Sequence, residues 1–103
     1  MFTVVETLVF QRQWPYYWTE EERGDFAAFI ADQPQAGDVV PGSGGIRKVR
    51  WSRSGSGKSG GVRIIYYTRT CQEEVVLLTL YAKSKTSNLS AAVLREIRRV
   101  LED

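Results

Sequence analysis

Lys48 and Arg50 stand two residues apart in the run Ile46-Arg47-Lys48-Val49-Arg50-Trp51-Ser52, and Arg63 opens the next apolar segment. On a β-strand, residues i and i+2 leave the same face about 7 Å apart, close to the phosphate repeat of an extended nucleic acid strand. Arg63 returns on the following strand and can lie beside them. Cations grouped in this way bind phosphate and stabilise the charge that builds on a reacting phosphodiester. The chain has no histidine, so paired imidazoles and His-ligated zinc play no part in that chemistry. Glu20, Glu21 and Glu22 read as the first turn of a helix, where its dipole favours negative charge. Glu73 and Glu74 read as a turn. Neither cluster has the pattern of a metal cage, so no metal or other cofactor is expected, and proton transfer falls to a lysine, a tyrosine or an acid.

The charge around these residues is one-sided. From residue 39 to 72 there is no carboxylate, while Arg47, Lys48, Arg50, Arg53, Lys58, Arg63 and Arg69 are all cationic. Residues 1–38 hold seven acids and two bases, so the net charge of +2 hides a strongly basic second region. Segregated positive charge on a sheet is the footprint of a surface that meets a polyanion. The bland alternative is a solvated outer face decorated with Lys and Arg. The loop Ser52–Gly61 contains Gly57-Lys58-Ser59, but the full phosphate-loop pattern G-x-x-x-x-G-K-[ST] is absent and no helix follows. It reads as a basic, adaptable loop.

The elements that must position these residues follow from periodicity. Phe2 to Glu6 has the β-branched content of a short strand. Phe10, Trp14, Tyr17 and Trp18 form one helical stripe, read as core in preference to a base-stacking platform, with Pro15 shortening or kinking the helix. Thr19 and Glu22 make a capping box that starts a second helix. That helix buries Phe26, Ala27, Phe29 and Ile30 and stops at Pro34. Residues 35–45 read as a loop. Strands follow over 46–52, 62–68 and 75–82, the last apolar almost throughout and hence buried on both faces. Ser90 caps a final helix, with Leu89 and Leu94 as a hydrophobic staple and Val93, Ile97, Val100 and Leu101 facing the core. The expected fold is α+β, order β-α-α-β-β-β-α: an N-terminal strand and helical hairpin on a small, mainly antiparallel sheet, with a C-terminal helix.

One domain over 1–103 is expected at this length. Cys71 is the only cysteine, which excludes an intramolecular disulfide and fits a reducing compartment. No run approaches the about 18 apolar residues of a membrane span, and Met1–Phe10 lacks a basic leader. A cytoplasmic protein with no membrane partner is expected.

The runs G-x-G-G-I-R-K-V-R and G-x-G-K-x-G-G-x-R-I-I-Y-Y, then L-L-T-L-Y-A-K and N-L-S before the last helix, resemble the RelE/ParE toxin superfamily, nearest its HigB-like branch. The resemblance covers essentially the whole chain. It implies a toxin of a type II toxin–antitoxin pair: a metal-independent mRNA endonuclease, acting on the ribosome and silenced by a cognate antitoxin, typically of helix-turn-helix type. By motif, Lys48 and Arg50 match the paired cations of that family. Arg63 matches the arginine that stabilises the phosphorane, and Lys83 lies near the reacting centre as proton carrier. Arg47, Arg53, Lys58, Lys85 and Tyr81 are expected to contact RNA around them. The best-known RelE-type enzymes carry an arginine directly after that lysine and a tyrosine shortly before the last helix. Here Ser84 and the run Thr86-Ser87-Asn88-Leu89 stand instead, which leaves Lys83, Lys85 or Tyr81 as substitutes. A ParE-like inhibitor of DNA gyrase, or a purely regulatory antitoxin-binding protein, is the alternative that the same resemblance leaves open.

Overall fold

The computed structural model describes residues 1–52 and 61–82, together with Leu94, Arg95, Ile97 and Arg99. The expectations for Ser90, Leu89, Val93, Val100 and Leu101, and for Arg53, Lys58, Lys83 and Lys85, lie outside the described residues. The chain runs β1 (Thr3–Glu6), α1 (Leu8–Gln13), a 3-10 turn (Trp14–Tyr16), α2 (Glu20–Asp32), β2 (Asp38–Val39), β3 (Arg47–Trp51), β4 (Val62–Arg69) and β5 (Glu74–Ala82). The architecture is α+β. One five-stranded sheet has the order β1-β5-β4-β3-β2, antiparallel except for the β1–β5 pair. The short return from β4 to β5 is a 3-10 turn closed at Glu73, whose φ of 54° is left-handed.

Local chemistry sets most boundaries. Thr7 caps α1, its Oγ1 accepting from Phe10 N at 3.2 Å and donating to Leu77 O of β5 at 3.0 Å. Pro15 then converts the chain to the 3-10 turn, as its missing N–H and fixed φ require. Thr19 and Glu22 complete the capping box at 3.1 and 2.9 Å. The loop expected over 35–45 contains one element that sequence did not signal. Asp38 and Val39 pair with Lys48 and Arg47 as the edge strand β2. Two residues are too few to show a period.

The sheet has two faces with separate cores. On one, Val62, Ile64 and Tyr66 of β4 and Val75, Leu77 and Leu80 of β5 meet Phe10, Trp18, Phe26 and Ile30 of the helical hairpin. Trp14 and Tyr17 pack partly buried against that cluster, so the aromatic stripe is core. On the other, Ile46, Ile65, Tyr67, Val76, Leu78 and Tyr81 meet Leu94, with Ile97 alongside. Both of those late residues are helical. β5 therefore buries both faces, as its almost wholly apolar run requires. Among the described residues, no helix is long and apolar enough to cross a membrane.

Candidate nucleic-acid interface

The orientation of β3 is fixed by what lies behind it. Trp51 packs on Phe26 and Phe29 of α2, with ring centroids 5.4 and 4.9 Å apart. Val49 joins the same core. With 49 and 51 held toward the helices, alternation sends 48 and 50 to the opposite face, and a one-residue slip would bury both cations. The junction into β4 is equally constrained. Gly61 has φ +59°, and a Cβ there would run into Trp51 O and Ser52 Oγ. Only glycine lets the strands approach this closely at that point.

The resulting register lines up the site. Arg50 pairs directly with Arg63, and Arg63 directly with Tyr81. Directly opposed residues share a face, so Arg50, Arg63 and Tyr81 form one row across β3, β4 and β5. Neighbours in such a row lie about 5 Å apart, so the row spans about 10 Å. Lys48, opposite Ile65, begins the next row on that face. Arg50 is exposed, whereas Lys48 and Arg63 are half-buried. Two arginines placed directly opposite one another concentrate positive charge on this face. Arg50 makes no ion pair with any described residue. The arrangement is suited to a bound polyanion.

Tyr81 closes the row. The residue is 7 % exposed, and among the described residues its hydroxyl is the buried side-chain oxygen without a hydrogen-bond partner. Burial pushes the phenol above its ordinary value, while the nearby Arg63 charge pulls it partly back.

Two cations are set apart. Arg47 occupies the helix-side face with Val49 and Trp51, and its Nη1 donates to Gly37 O at 2.7 Å and to Gln35 O at 3.4 Å. The structure does not bring it together with Lys48, Arg50 and Arg63; it fastens the loop before β2. Arg69 donates to the Tyr67 hydroxyl at 3.0 Å and pairs with Glu74 at 3.3 Å. The Tyr67 bond, then Glu74, raises its already high pKa. It stabilises the β4–β5 turn.

A positioning device emerged that sequence did not signal. The Tyr66 hydroxyl, fully buried on the helix side, accepts from Gly37 N at 2.8 Å and donates to Pro34 O at 2.9 Å. Burial raises this phenol as well, with the Gly37 bond opposing the shift. A Cβ at Gly37 would sit 2.8 Å from that hydroxyl and 2.9 Å from Lys48 O. The clamp thus sets the loop directly against the backbone of Lys48. Gly37 and Tyr66 are 29 residues apart, and no local pattern links them.

The helical hairpin on this sheet has counterparts among solved structures. A double arginine-to-alanine mutant of Escherichia coli toxin RelE, in the free state, superposes with a TM-score of 0.62 at 12% identity, covering 94% of this chain and 96% of that one. The isolated E. coli RelE toxin gives 0.61 at 12% identity, covering 97% and 99%. At that identity the likeness defines the fold. The sequence supplies the family: residues 30–102 match the model of the RelE toxin of the RelE/RelB toxin–antitoxin system. The chain belongs to the RelE toxin family. It is a toxin of the toxin–antitoxin kind, with an antitoxin as its partner.

Proposed function

We propose that this toxin is a ribosome-dependent, metal-independent mRNA endonuclease that inhibits translation in the cytoplasm. The observation that carries the reading is the Arg50–Arg63 register pair, with Lys48 beside it on one face of the sheet. In the reaction, the ribose 2′-oxygen attacks the adjacent phosphorus and gives up its proton. The bond to the 5′-oxygen breaks, and that oxygen takes a proton as it leaves. The products are a cyclic 2′,3′-phosphate and a free 5′-hydroxyl. Arg63 and Arg50 neutralise the charge that accumulates on the phosphoryl oxygens. Lys48 positions the backbone, and Lys83, next in sequence after the last residue of β5, carries the proton. The antitoxin, of helix-turn-helix type, must cover or distort this basic face and so presents an acidic or amphipathic segment to it.

Substitution of Arg63 by Ala tests the reading. Losing one preorganised charge donor lowers cleavage by about 10²–10³-fold, so growth inhibition on expression should vanish while the protein still folds. Intact transcripts together with induction of the DNA damage response by the unsubstituted toxin would instead point to gyrase. Unchanged toxicity of Arg63→Ala would remove Arg63 from the site.

A further inference from the structure

Tyr81 has a feature that the proposed cation set does not use. Its ring is part of the core shared with Leu94, yet its buried hydroxyl has no hydrogen-bond partner among the described residues. A buried hydroxyl left unsatisfied is unfavourable, and native proteins seldom tolerate one without a role. Phenylalanine would fill the same space without that cost. The oxygen sits on the residue directly opposite Arg63, which is itself directly opposite Arg50. Arg63 is also the charged group that acts on this phenol.

We infer that the Tyr81 hydroxyl is the neutral donor of the anion site: it hydrogen-bonds a phosphoryl oxygen of the RNA when Arg63 turns onto the same phosphate. The inference rests on the RNA-cleaving reading for its substrate and on the register for its geometry. The direction of the phenol shift supports it. A phenol held above its ordinary value keeps its proton at neutral pH and so is available to donate to an anion. The hydroxyl is buried in the free toxin and Arg63, directly opposite on β4, is half-buried, so both groups must turn toward a bound phosphate. The site then holds two charged donors and one neutral one in a single row. No bond to Tyr81 forms or breaks.

The test uses the full-length toxin in two arms. In the first, mRNA cleavage on translating ribosomes is compared for the wild type, Tyr81→Phe and Arg63→Ala. In the second, each protein is titrated with a 2′-O-methyl RNA oligonucleotide, which reports phosphate binding without cleavage. Tyr81→Phe should cleave and bind about 10–100-fold more weakly, the range for a lost hydrogen bond to a charged group, with an unfolding temperature no lower than wild type. If Tyr81→Phe matches wild type in both arms while Arg63→Ala is impaired, the inference fails and the endonuclease reading stands. If the wild type binds RNA and does not cleave it, and Tyr81→Phe binds more weakly, the endonuclease reading fails and the Tyr81 contact stands. If activity falls only in step with a lowered unfolding temperature, the hydroxyl is structural and the inference is overturned.

Discussion

Replacing Tyr66 by Phe removes a single oxygen, and with it both bonds of the clamp that holds the 34–37 loop. The ring keeps its place in the hairpin-side core, so no cavity opens and only the hydrogen bonds are at issue. Gly37 N at 2.8 Å loses its acceptor and Pro34 O at 2.9 Å loses its donor. Two such bonds contribute about 0.5–1.5 kcal/mol each, and an orphaned buried N–H adds to the loss, so the variant should be less stable by about 2–3 kcal/mol. For a domain of this size, that lowers the unfolding temperature by about 10–20 °C. Thermal and urea unfolding followed by circular dichroism give both quantities. Tyr81→Phe is the internal control, being the same chemical change on the opposite face at a hydroxyl with no partner among the described residues. It should leave stability unchanged or raise it. Equal losses in the two variants, or a Tyr66→Phe protein as stable as wild type, would refute the assignment of stability to paired hydroxyls.

Gly61→Ala should destabilise by about 2–4 kcal/mol, the sum of backbone strain at φ +59° and overlap with Trp51 O and Ser52 Oγ. A loss below about 1 kcal/mol in urea unfolding would mean that the β3–β4 junction can relax. Alkaline pH should weaken the fold. Both buried phenols, Tyr66 and Tyr81, sit above the ordinary 10.0, so the unfolded chain releases protons first as pH rises. Their contribution is complete below 10.0 and is lost as pH climbs through the raised folded values. Urea midpoints should be insensitive to these groups at neutral pH and fall above 10.0, less steeply in Tyr66→Phe; a midpoint that rises there would contradict the assignment.

What the sequence revealed divides by the range of the interaction. The capping box at Thr19 and Glu22, the break at Pro15 and the turn at Glu73 were legible because partners lie within a few residues. The sidedness of β3 was legible too, since apolar Val49 and Trp51 alternate with Lys48 and Arg50. That alternation already separates Arg47 from them, and the structure keeps it on the other face, bonded to Gly37 and Gln35. Arg63 is the opposite case. It precedes Ile64, Ile65, Tyr66 and Tyr67, all buried, so β4 shows no period from which to read its face. Its side is fixed only by the cross-strand register with Arg50. The same holds for β2 and for the Gly37–Tyr66 clamp, which depend on contacts between segments remote in sequence.

Placing the clamps and the cationic row on opposite faces has a consequence for how this toxin can vary. Tyr66, Gly37, Arg47, Val49 and Trp51 hold β3 and its loop from the helix side. Lys48, Arg50 and Arg63 project to the other side, with Arg50 and Arg63 directly opposed. Changes to the clamps therefore disturb the row through the backbone of Lys48. Tyr81 is the one member of the row that belongs to both, its ring in the second core and its oxygen beside Arg63. On the proposed reading, a residue so placed would link the packing of β5 to phosphate contact. An antitoxin that shifted whatever packs on that ring would alter the anion site without touching either arginine.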